Sequence, residues 1–388
     1  MNCLDWVRGR RPRILFLNNQ GLAGLGGGVT ILHHLVNGLV ADYDVTLLSL
    51  DAPADGYSAV RQVRLPPSPK ATGRLWRFAP MVRARHLLDV VPGDELLTAD
   101  VVVALDCHFA RAALRHQPRR LIYLSLSCIP RMEWFGGTEG QRWLNFLQYA
   151  WLERAIANAA DSVVVASHMH AAEMRRFEQL RGFDPVVLPP VFAAARPAVR
   201  EPAASDEVTI LSAGRMVPIK QFGAVVDMAE RLRDLRCRFV IAGDGPERLP
   251  LQARVDALGL GRRVQFIGAL SDIERLLAAT DIFLHPARYE SFGMVILEAL
   301  QAGIPVVLDG RSRIGCRETL RAEEVGLADF SKPAEAAMLL RRLILDPALR
   351  ARIGTAGQQS AAALLQTDYV AAFRRLIDGV VASPLVSA

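Results

Sequence analysis

Residues 281–307, DIFLHPARYESFGMVILEALQAGIPVV, constrain the fold more than any other stretch of the chain. Residues 281–285 and 304–308 are short apolar runs, the pattern of strands buried on both faces of a parallel sheet. The segment between them, 293–302, has the length of a helix and is apolar nearly all round, so it packs inside a domain. Because parallel strands need a crossover connection, the stretch predicts a strand, a helix and a second strand of an α/β fold.

Two acids in this stretch indicate a ligand site. Glu298 lies in the apolar helix, where an ionised carboxylate is costly unless another group binds it. Glu290 stands eight residues earlier, just beyond the carboxyl end of a strand, where open α/β sheets bind ligands. The residues that lead into the helix and begin it are Ser291, Phe292, Gly293 and Met294. Free N–H groups at a helix start favour an anion such as phosphate.

We interpret the stretch as one site, with an anion-binding position at the helix start, one carboxylate at the mouth and the other about one turn into the helix. The alternative is structural: Glu290 forms a surface salt bridge, and a core arginine satisfies Glu298.

The rest of the chain repeats this architecture. At 388 residues, with 51% hydrophobic and 22% charged, the chain is long for one core, so we expect two domains. Apolar strands alternate with helices on both sides of a Pro- and Ala-rich stretch, which predicts two Rossmann-like, doubly wound parallel sheets facing across a cleft. The predicted parts are an N-terminal domain at 1–190, a linker at 191–207, a C-terminal domain at 208–365 and a closing segment at 366–388.

The charge balance limits the kinds of ligand that we expect, and the cysteine content limits the cellular compartment. Forty-six basic residues against 40 acidic ones give a net charge of +6. This excess suits an anionic ligand or an anionic membrane surface, and it is too dispersed to indicate nucleic-acid binding. The five cysteines are odd in number and lack metal-ligand spacing, as in a reducing cytosol. Without a signal-peptide pattern or an apolar run of about 18 residues, we expect a cytoplasmic protein that does not span a membrane.

Segment 74–88, RLWRFAPMVRARHLL, is a candidate membrane contact because it alternates four arginines with large apolar residues. Such a pattern can seat a surface on anionic lipid, peripherally at the inner face of a membrane. Pro80 interrupts any single helix, and an ordinary amphipathic face explains the pattern equally well.

Further candidate residues follow other strands. The first strand, 13–18, leads into a glycine-rich turn that allows close backbone approach to a ligand but lacks G-x-G-x-x-G in register; a flexible loop is the alternative. Asp106 and His108 close a later strand, where they could orient a hydroxyl group or serve as a capping Asp and a half-buried His. In the second half, Arg215 and Lys220 suit a diphosphate, with solvated turn charges as the alternative.

The second half also carries the family resemblance. Glu290 and Glu298, with Ser-Phe-Gly between them and E-A-x-x-x-G-x-P-V-V after them, resemble the E-x7-E signature of the retaining family-4 glycosyltransferases of the GT-B fold. In that family the first acid lies against the donor sugar, and the second holds the ribose hydroxyls of a sugar nucleotide. Gly214, Arg215 and Lys220 match the family's G-R-x-x-x-x-K pattern, whose two cations stabilise the leaving nucleoside diphosphate.

The resemblance implies further site residues and one domain feature. Arg215, Lys220 and Glu290 are the predicted catalytic residues, and Asp106 and His108 are the acceptor-side candidates. The predicted donor contacts are Gly27, Gly28, Gly214, Gly243, Gly245, Ser291, Phe292, Gly293, Met294 and Glu298. Residues 367–381 resemble the GT-B helix that crosses back to the first domain. The resemblance gives no guidance from 308 to 331.

The implied activity is transfer of a sugar from a nucleoside-diphosphate sugar to a glycan, lipid-linked or small-molecule acceptor, in bacterial glycolipid, polysaccharide or other glycoconjugate synthesis. We expect a retaining hexosyltransferase without metal or other cofactor, because two protein cations supply the charge. Asp42 and Asp44 form a D-x-D, a metal motif in other glycosyltransferases, but they lie at the far end of the predicted sheet and indicate a solvated turn. The alternatives are an epimerase or phosphorylase of the same fold, or a non-catalytic sugar-nucleotide binding protein. A two-carboxylate glycosidase would leave Arg215 and Lys220 without a role.

Overall fold

The computed structural model describes residues 10–18, 22, 26–66, 87, 89–127, 139–177, 184–193, 207–269 and 273–384. Contacts divide the chain into two compact units. Unit 1 contains residues 1–23, 28–190 and 368–388, and unit 2 contains residues 24–27 and 191–367. The candidate membrane segment 74–88 lies outside the described residues except for Leu87, and so does most of the predicted linker.

Unit 1 contains a seven-stranded sheet whose neighbouring strands are all parallel. Its strands are β1 (Arg13–Asn18), β2 (Asp44–Ser49), β3 (Arg61–Arg64), β4 (Val101–Ala104), β5 (Leu121–Ser125), β6 (Ser162–Val165) and β7 (Val186–Val187). Their order in the sheet is β3-β2-β1-β4-β5-β6-β7. The central strands are almost entirely buried, which explains their continuous apolar sequences.

The helices of unit 1 connect these strands. They are α1 (Gly27–Leu39), α2 (Gly93–Thr98), α3 (Cys107–Arg115), α4 (Glu139–Ala157) and α5 (His168–Phe177), with a 3₁₀ turn at Asp55–Tyr57. The first residue of α1, Gly27, is grouped by its contacts with unit 2. The buried faces of α3 and α4 pack with β4, β5 and β6 in one apolar core, to which Phe109, Leu152 and Val165 contribute fully buried side chains.

Unit 2 contains a second parallel sheet, of six strands, and a separate pair of short strands. The six strands are β8 (Val208–Ala213), β9 (Cys237–Ala242), β10 (Val264–Gly268), β11 (Ile282–His285), β13 (Val306–Asp309) and β15 (Gly326–Ala328), in the order β10-β9-β8-β11-β13-β15. The short pair is β12 (Tyr289–Glu290) and β14 (Arg313–Ile314), also parallel. The sequence did not predict β3, β12, β14 or β15.

An apolar core of unit 2 joins side chains of its strands and helices, and Phe239, Ile282 and Leu340 are completely buried in it. The described part of unit 2 has six helices. They are α6 (Phe222–Arg231), α7 (Arg248–Ala257), α8 (Ile273–Ala278), α9 (Met294–Gln301), α10 (Pro333–Leu345) and α11 (Pro347–Leu364), with 3₁₀ turns at Pro218–Lys220, Gly315–Thr319 and Ala322–Glu324. The strand, helix and strand predicted at 281–307 are observed as β11, α9 and β13. No helix in the described part of the chain is long and apolar enough to cross a membrane.

The strand order gives each sheet a point at which the chain reverses direction across the sheet. In unit 1 this point lies between β1 and β4, and in unit 2 it lies between β8 and β11. Ligands of open α/β sheets bind in the crevice beyond the carboxyl ends of the two strands at such a point. The residues that follow β1, β4, β8 and β11 are therefore the ones expected to form sites.

The last helix, α12 (Tyr369–Ala382), belongs to unit 1 and contacts the start of its sheet. Tyr43 Oη donates a hydrogen bond of 2.6 Å to Asp378 Oδ1, and Arg374 lies 2.9 Å from Asp42 Oδ2. Asp44 lies 3.6 Å from Arg13. The side chains of Asp42 and Asp44 are 48% and 59% exposed, so both acids of the D-x-D are solvated and ion-paired, as expected of a turn.

Candidate active site

The turn after β8, which carries Arg215 and Lys220, is fixed by backbone contacts with the turn after β9. Met216 N–H donates to the carbonyl of Asp244 at 2.8 Å, and Gly214 N–H donates to that of Ala242 at 3.0 Å. A 3₁₀ turn then carries Lys220 to the start of α6, where Gln221 adopts a left-handed φ of 53°. These contacts hold Lys220 at the carboxyl edge of the sheet, beside β8.

Gly243 is required where these two turns meet. Its φ is 130°, and a Cβ atom at this position would lie 2.0 Å from the carbonyl oxygen of Gly214. That distance is far inside van der Waals contact, so a larger residue would push the two backbones apart. The predicted donor contact Gly243 thus has a geometric role, independent of any ligand, and Gly214 supplies the carbonyl that it faces.

Lys220 and Glu290 meet at the point where the chain reverses in unit 2. Lys220 Nζ forms an ion pair with Glu290 Oε1, and each side chain is 16% exposed. The same Oε1 lies 3.1 Å from Nε2 of His285, the last residue of β11, whose side chain is 3% exposed. The His285 ring stacks on Phe283, with ring centroids 6.1 Å apart. The salt bridge of Glu290 is therefore largely buried, unlike the surface pair of the structural alternative.

Burial lowers the pKa of two of these side chains, Lys220 and His285. Burial, and secondarily the charge of Arg215, lowers the pKa of Lys220 from 10.5 to about 7. Burial also lowers the pKa of His285 well below its usual value, and Lys220 adds to the effect. His285 is therefore an uncharged imidazole near neutral pH, and its Nε2–H donates to the Glu290 carboxylate. Arg215 itself is exposed.

The loop that carries Glu290 is attached on two sides. Arg288 N–H donates to the carbonyl of Ile219 at 2.9 Å, next to Lys220. Arg313 N–H donates to the carbonyl of Arg288 at 2.9 Å, and β12 pairs with β14 so that Glu290 lies opposite Ile314. The segment 308–331, for which the resemblance gave no guidance, thus supplies a strand that positions the predicted catalytic acid.

Gly293 forms the entry to α9. It has a φ of 98°, and a Cβ atom there would lie 2.9 Å from Ile296 Cδ1. Cys316 N–H donates to the carbonyl of Phe292 at 2.8 Å, which ties the loop 291–293 to the 3₁₀ turn that follows β14. The first N–H groups of α9 have no acceptor within the helix, so this end can bind an anion.

Glu298 lies one turn into α9 and is mostly buried. Burial, with Glu274 as a second cause, raises its pKa from 4.5 to about 7. Among the residues that the structure describes, no basic group lies within ion-pair distance of its carboxylate. The sequence alternative, a core arginine that satisfies Glu298, therefore has no support in these residues.

Asp106 and His108 follow β4, at the reversal point of unit 1. Asp106 caps α3: its Oδ1 accepts hydrogen bonds from the N–H groups of His108 at 2.8 Å and Phe109 at 3.3 Å. Nδ1 of His108 lies 3.0 Å from the same oxygen. His108 is 2% exposed, so it is fully buried and not half-buried as the structural alternative expected. Its Nε2 is buried and has no hydrogen-bond partner within the described ranges.

Asp106, Cys107 and His108 also present three metal-ligand atoms within 4.8 Å of one another. The Asp106 carboxylate is already engaged by the helix start and by His108. Burial would raise the pKa of Asp106, but His108 and the backbone N–H groups lower it. These mutual hydrogen bonds account for the close spacing without an ion.

Two family models together match most of the chain. The model described as "Glycosyl transferase 4-like domain" matches residues 26–190, and that described as "Glycosyl transferases group 1" matches residues 197–360. The chain belongs to the family-4 type of GT-B glycosyltransferases.

A curated relative of this family-4 chain is the lipopolysaccharide core biosynthesis glycosyltransferase LpsE of Rhizobium meliloti. It is 33% identical over 171 residues, which are 44% of this chain and 48% of that protein. The chain thus spans about half the length of this curated relative.

Solved structures establish the GT-B fold over nearly the whole chain. Sucrose-phosphate synthase from Thermosynechococcus elongatus has a TM-score of 0.80 at 20% identity, covering 96% of this chain and 100% of that one. HepE of Anabaena, solved in complex with UDP-glucose, has a TM-score of 0.71 at 20% identity, covering 95% and 98%.

In this family-4 chain, the folded structure joins Lys220 and Glu290 directly and places Arg215 close enough to lower the pKa of Lys220. Gly214, Gly243 and Gly245 lie in the two turns at the same sheet edge. Glu298 follows in α9 without a direct contact to that pair. His285 was not among the predicted site residues, since the last residue of an apolar strand resembles any other core residue. Its place at a strand's carboxyl end was the available signal.

Proposed function

We propose that this chain is a retaining glycosyltransferase that moves a sugar from a nucleoside-diphosphate sugar to an acceptor hydroxyl. The observation that carries the proposal is the buried Lys220 and Glu290 pair at the reversal point of unit 2, beside Arg215 and the start of α9. Cations, free N–H groups and a carboxylate at one sheet edge suit a diphosphate with a sugar attached.

The leaving group explains why cations are needed. As the bond between the sugar and the phosphate breaks, negative charge grows on the phosphate and positive charge on the sugar. Lys220 and the exposed Arg215 would neutralise the phosphate, and the helix start at Gly293 and Met294 would donate N–H groups to it. Glu290 lies against the sugar in this assignment, where its carboxylate favours the cationic character of the transition state.

The nucleoside would be held by Glu298. Its carboxylate, without an ionic partner in the described part of the chain, would accept hydrogen bonds from the ribose hydroxyls. Gly243 and Gly245, in the turn after β9, would let the backbone approach the base and the diphosphate, and Gly27 and Gly28 would approach the donor from the start of α1. HepE binds UDP-glucose, which makes uridine nucleotides the first donors to test.

The acceptor is assigned by class. LpsE is named for lipopolysaccharide core synthesis, which supports a glycan or lipid-linked acceptor in bacterial glycoconjugate synthesis. Asp106 and His108 would orient the acceptor hydroxyl, because they follow β4 at the carboxyl edge of the sheet and Nε2 of His108 has no hydrogen-bond partner among the described residues. Front-face attack, with the leaving phosphate helping to deprotonate the acceptor, would retain the anomeric configuration.

Transfer assays with two variants test the proposal. With UDP-glucose or GDP-mannose and lipopolysaccharide core acceptors, we expect Lys220→Ala and Glu298→Ala each to lower the transfer rate by about 100-fold, the scale of losing one charged hydrogen-bonding group at the transition state. NMR of the product reports whether the anomeric configuration is retained. Wild-type rates in both variants would contradict the assigned roles.

Metal independence is a second part of the proposal. Because Arg215, Lys220 and a helix start supply the positive charge, EDTA should leave the transfer rate unchanged within about twofold. Activity that EDTA abolishes and Mg²⁺ restores would overturn this part and leave the transferase assignment standing.

A non-catalytic sugar-nucleotide binding protein is the alternative from another functional class. Calorimetry that finds donor binding, together with assays that never detect glycosylation of an acceptor or hydrolysis of the donor, would favour it. Epimerisation or phosphate-dependent cleavage of the donor would indicate the related enzymes of the same fold.

Peripheral binding to anionic lipid belongs to the same proposal. It is supported by the pattern of 74–88 and by α4, on which Leu147 and Trp151 are 59% and 52% exposed. The guanidinium of Arg111 lies 5.8 Å from the Trp151 ring centroid, so cationic and aromatic groups share this surface. Replacing the four arginines of 74–88 with Ser should reduce co-sedimentation with vesicles of phosphatidylglycerol; equal binding of the variant would refute the contact at this segment.

A further inference from the structure

Glu290 Oε1 has two partners that differ in charge. Lys220 forms an ion pair with it, and Nε2 of His285 lies 3.1 Å from it. The other carboxylate oxygen, Oε2, makes no hydrogen bond with any residue that the structure describes. One oxygen is therefore held by the protein, and the second is available to a ligand hydroxyl.

Lys220 cannot serve Glu290 and a diphosphate equally well. In the proposed reaction the diphosphate draws the lysine charge toward itself, which weakens the ion pair with Glu290. A carboxylate that is only 16% exposed and loses its cation is costly unless another donor remains. The remaining donor in the described structure is His285.

We propose that His285 is a positioning residue for Glu290, holding its carboxylate through the Nε2–H hydrogen bond while Lys220 engages the diphosphate. The imidazole is suited to this task because it is 3% exposed and its plane is fixed by stacking on Phe283. It stays uncharged because burial lowers its pKa. Nδ1 is then the unprotonated nitrogen, so Nε2 is a permanent donor. The inference rests on the proposed function, since it assumes a diphosphate at Lys220.

Two substitutions of His285 distinguish the effect of its hydrogen bond from the effect of its ring. His285→Gln keeps an N–H donor at nearly the position of Nε2, whereas His285→Leu keeps the volume and removes the donor. Calorimetry with UDP-glucose and GDP-mannose measures donor affinity directly, so the test does not depend on the acceptor. Thermal melting of each variant checks that it folds.

A double-mutant cycle with Glu290→Ala then tests whether His285 acts through Glu290. We expect His285→Leu to weaken donor binding about tenfold, the loss of one hydrogen bond to a charged group, and His285→Gln to remain within about threefold of wild type. In the Glu290→Ala background, His285→Leu should change donor affinity by less than about twofold.

The other outcomes are distinguishable. If His285→Leu lowers donor affinity equally with and without Glu290, His285 only supports the fold. If His285→Gln binds donor as weakly as His285→Leu, the ring and not the N–H group matters. Either result overturns the inference. If the wild-type protein binds neither sugar nucleotide, the proposed function fails, and this inference fails with it.

Discussion

In the proposed function, the charge state of Lys220 should make donor binding dependent on pH in a range where most lysines are fully charged. Burial, with Arg215 as the second cause, lowers its pKa to about 7, so in the free protein about half of the molecules carry the charge at pH 7. A diphosphate bound as proposed would favour the charged form and raise this pKa again. The contribution of Lys220 to donor binding should therefore be present below pH 7 and be lost as the pH rises through 7.

The size of the effect follows from this pKa. Between pH 7 and pH 9 the charged fraction falls from about one half to about one hundredth, so donor affinity should fall about 50-fold, or about 2.3 kcal/mol. Burial raises the pKa of Glu298 to about 7, so this acid ionises over the same interval. If only its carboxylate form binds ribose, the gain offsets the loss by at most about twofold.

Calorimetric titration with UDP-glucose at constant ionic strength measures this dependence, because the diphosphate of a sugar nucleotide has no proton that titrates between pH 7 and pH 9. In Lys220→Arg the guanidinium stays charged throughout, so the fall should disappear. In Arg215→Gln the guanidinium charge that repels the Lys220 ammonium is removed, so the pKa of Lys220 rises and donor affinity should begin to fall at a higher pH. An affinity that is constant from pH 7 to pH 9 in the wild type, or an equal fall in Lys220→Arg, would refute the reasoning.

Two further predictions concern stability and can be checked by urea unfolding. Gly243→Ala should lower the free energy of unfolding by about 2 kcal/mol more than Gly259→Ala, because both glycines have positive φ but only Gly243 faces a backbone oxygen at 2.0 Å; equal losses would contradict the contact. Tyr123→Phe should lower the free energy of unfolding by about 1–3 kcal/mol, since the Tyr123 hydroxyl donates a hydrogen bond of 2.8 Å to the buried Glu153. Tyr57→Phe should lower it by less than about 0.5 kcal/mol, because the Tyr57 hydroxyl has no partner in the described ranges. A larger loss for Tyr57→Phe than for Tyr123→Phe would exclude this account.

The sequence predicted the parts of the fold that depend on local pattern. Apolar runs such as those of β1 and β11 indicate strands buried on both faces, and their alternation with helices requires parallel sheets. From the parallel arrangement it follows that residues after β8 and after β11 meet at one edge. The sequence predicted separately that Lys220 and Glu290 lie at this edge, whereas their direct contact, across 70 positions of the chain, was not predicted.

Other features depend on contacts that a single sequence does not encode locally. The strands β12 and β14 have two residues each, too few for any periodicity, and they form because backbone groups of Arg288 and Arg313 meet. His285 has the sequence context of a core residue, and only its distance from Glu290 reveals a polar role. For Glu298 the sequence predicted a partner, whereas in the described residues its burial is accommodated by a raised pKa.

The path of the chain has a consequence for how the protein is made. The helix α12 follows unit 2 in the chain and is synthesised after it, yet it belongs to unit 1, where Tyr43 bonds Asp378 and Arg120 bonds the carbonyl of Ser383. A nascent chain can finish unit 2 while unit 1 still lacks its final helix, although unit 1 began emerging first. Removal of α12 should therefore destabilise the amino-terminal half of the protein, and a folding defect there would lie far in sequence from the removed residues.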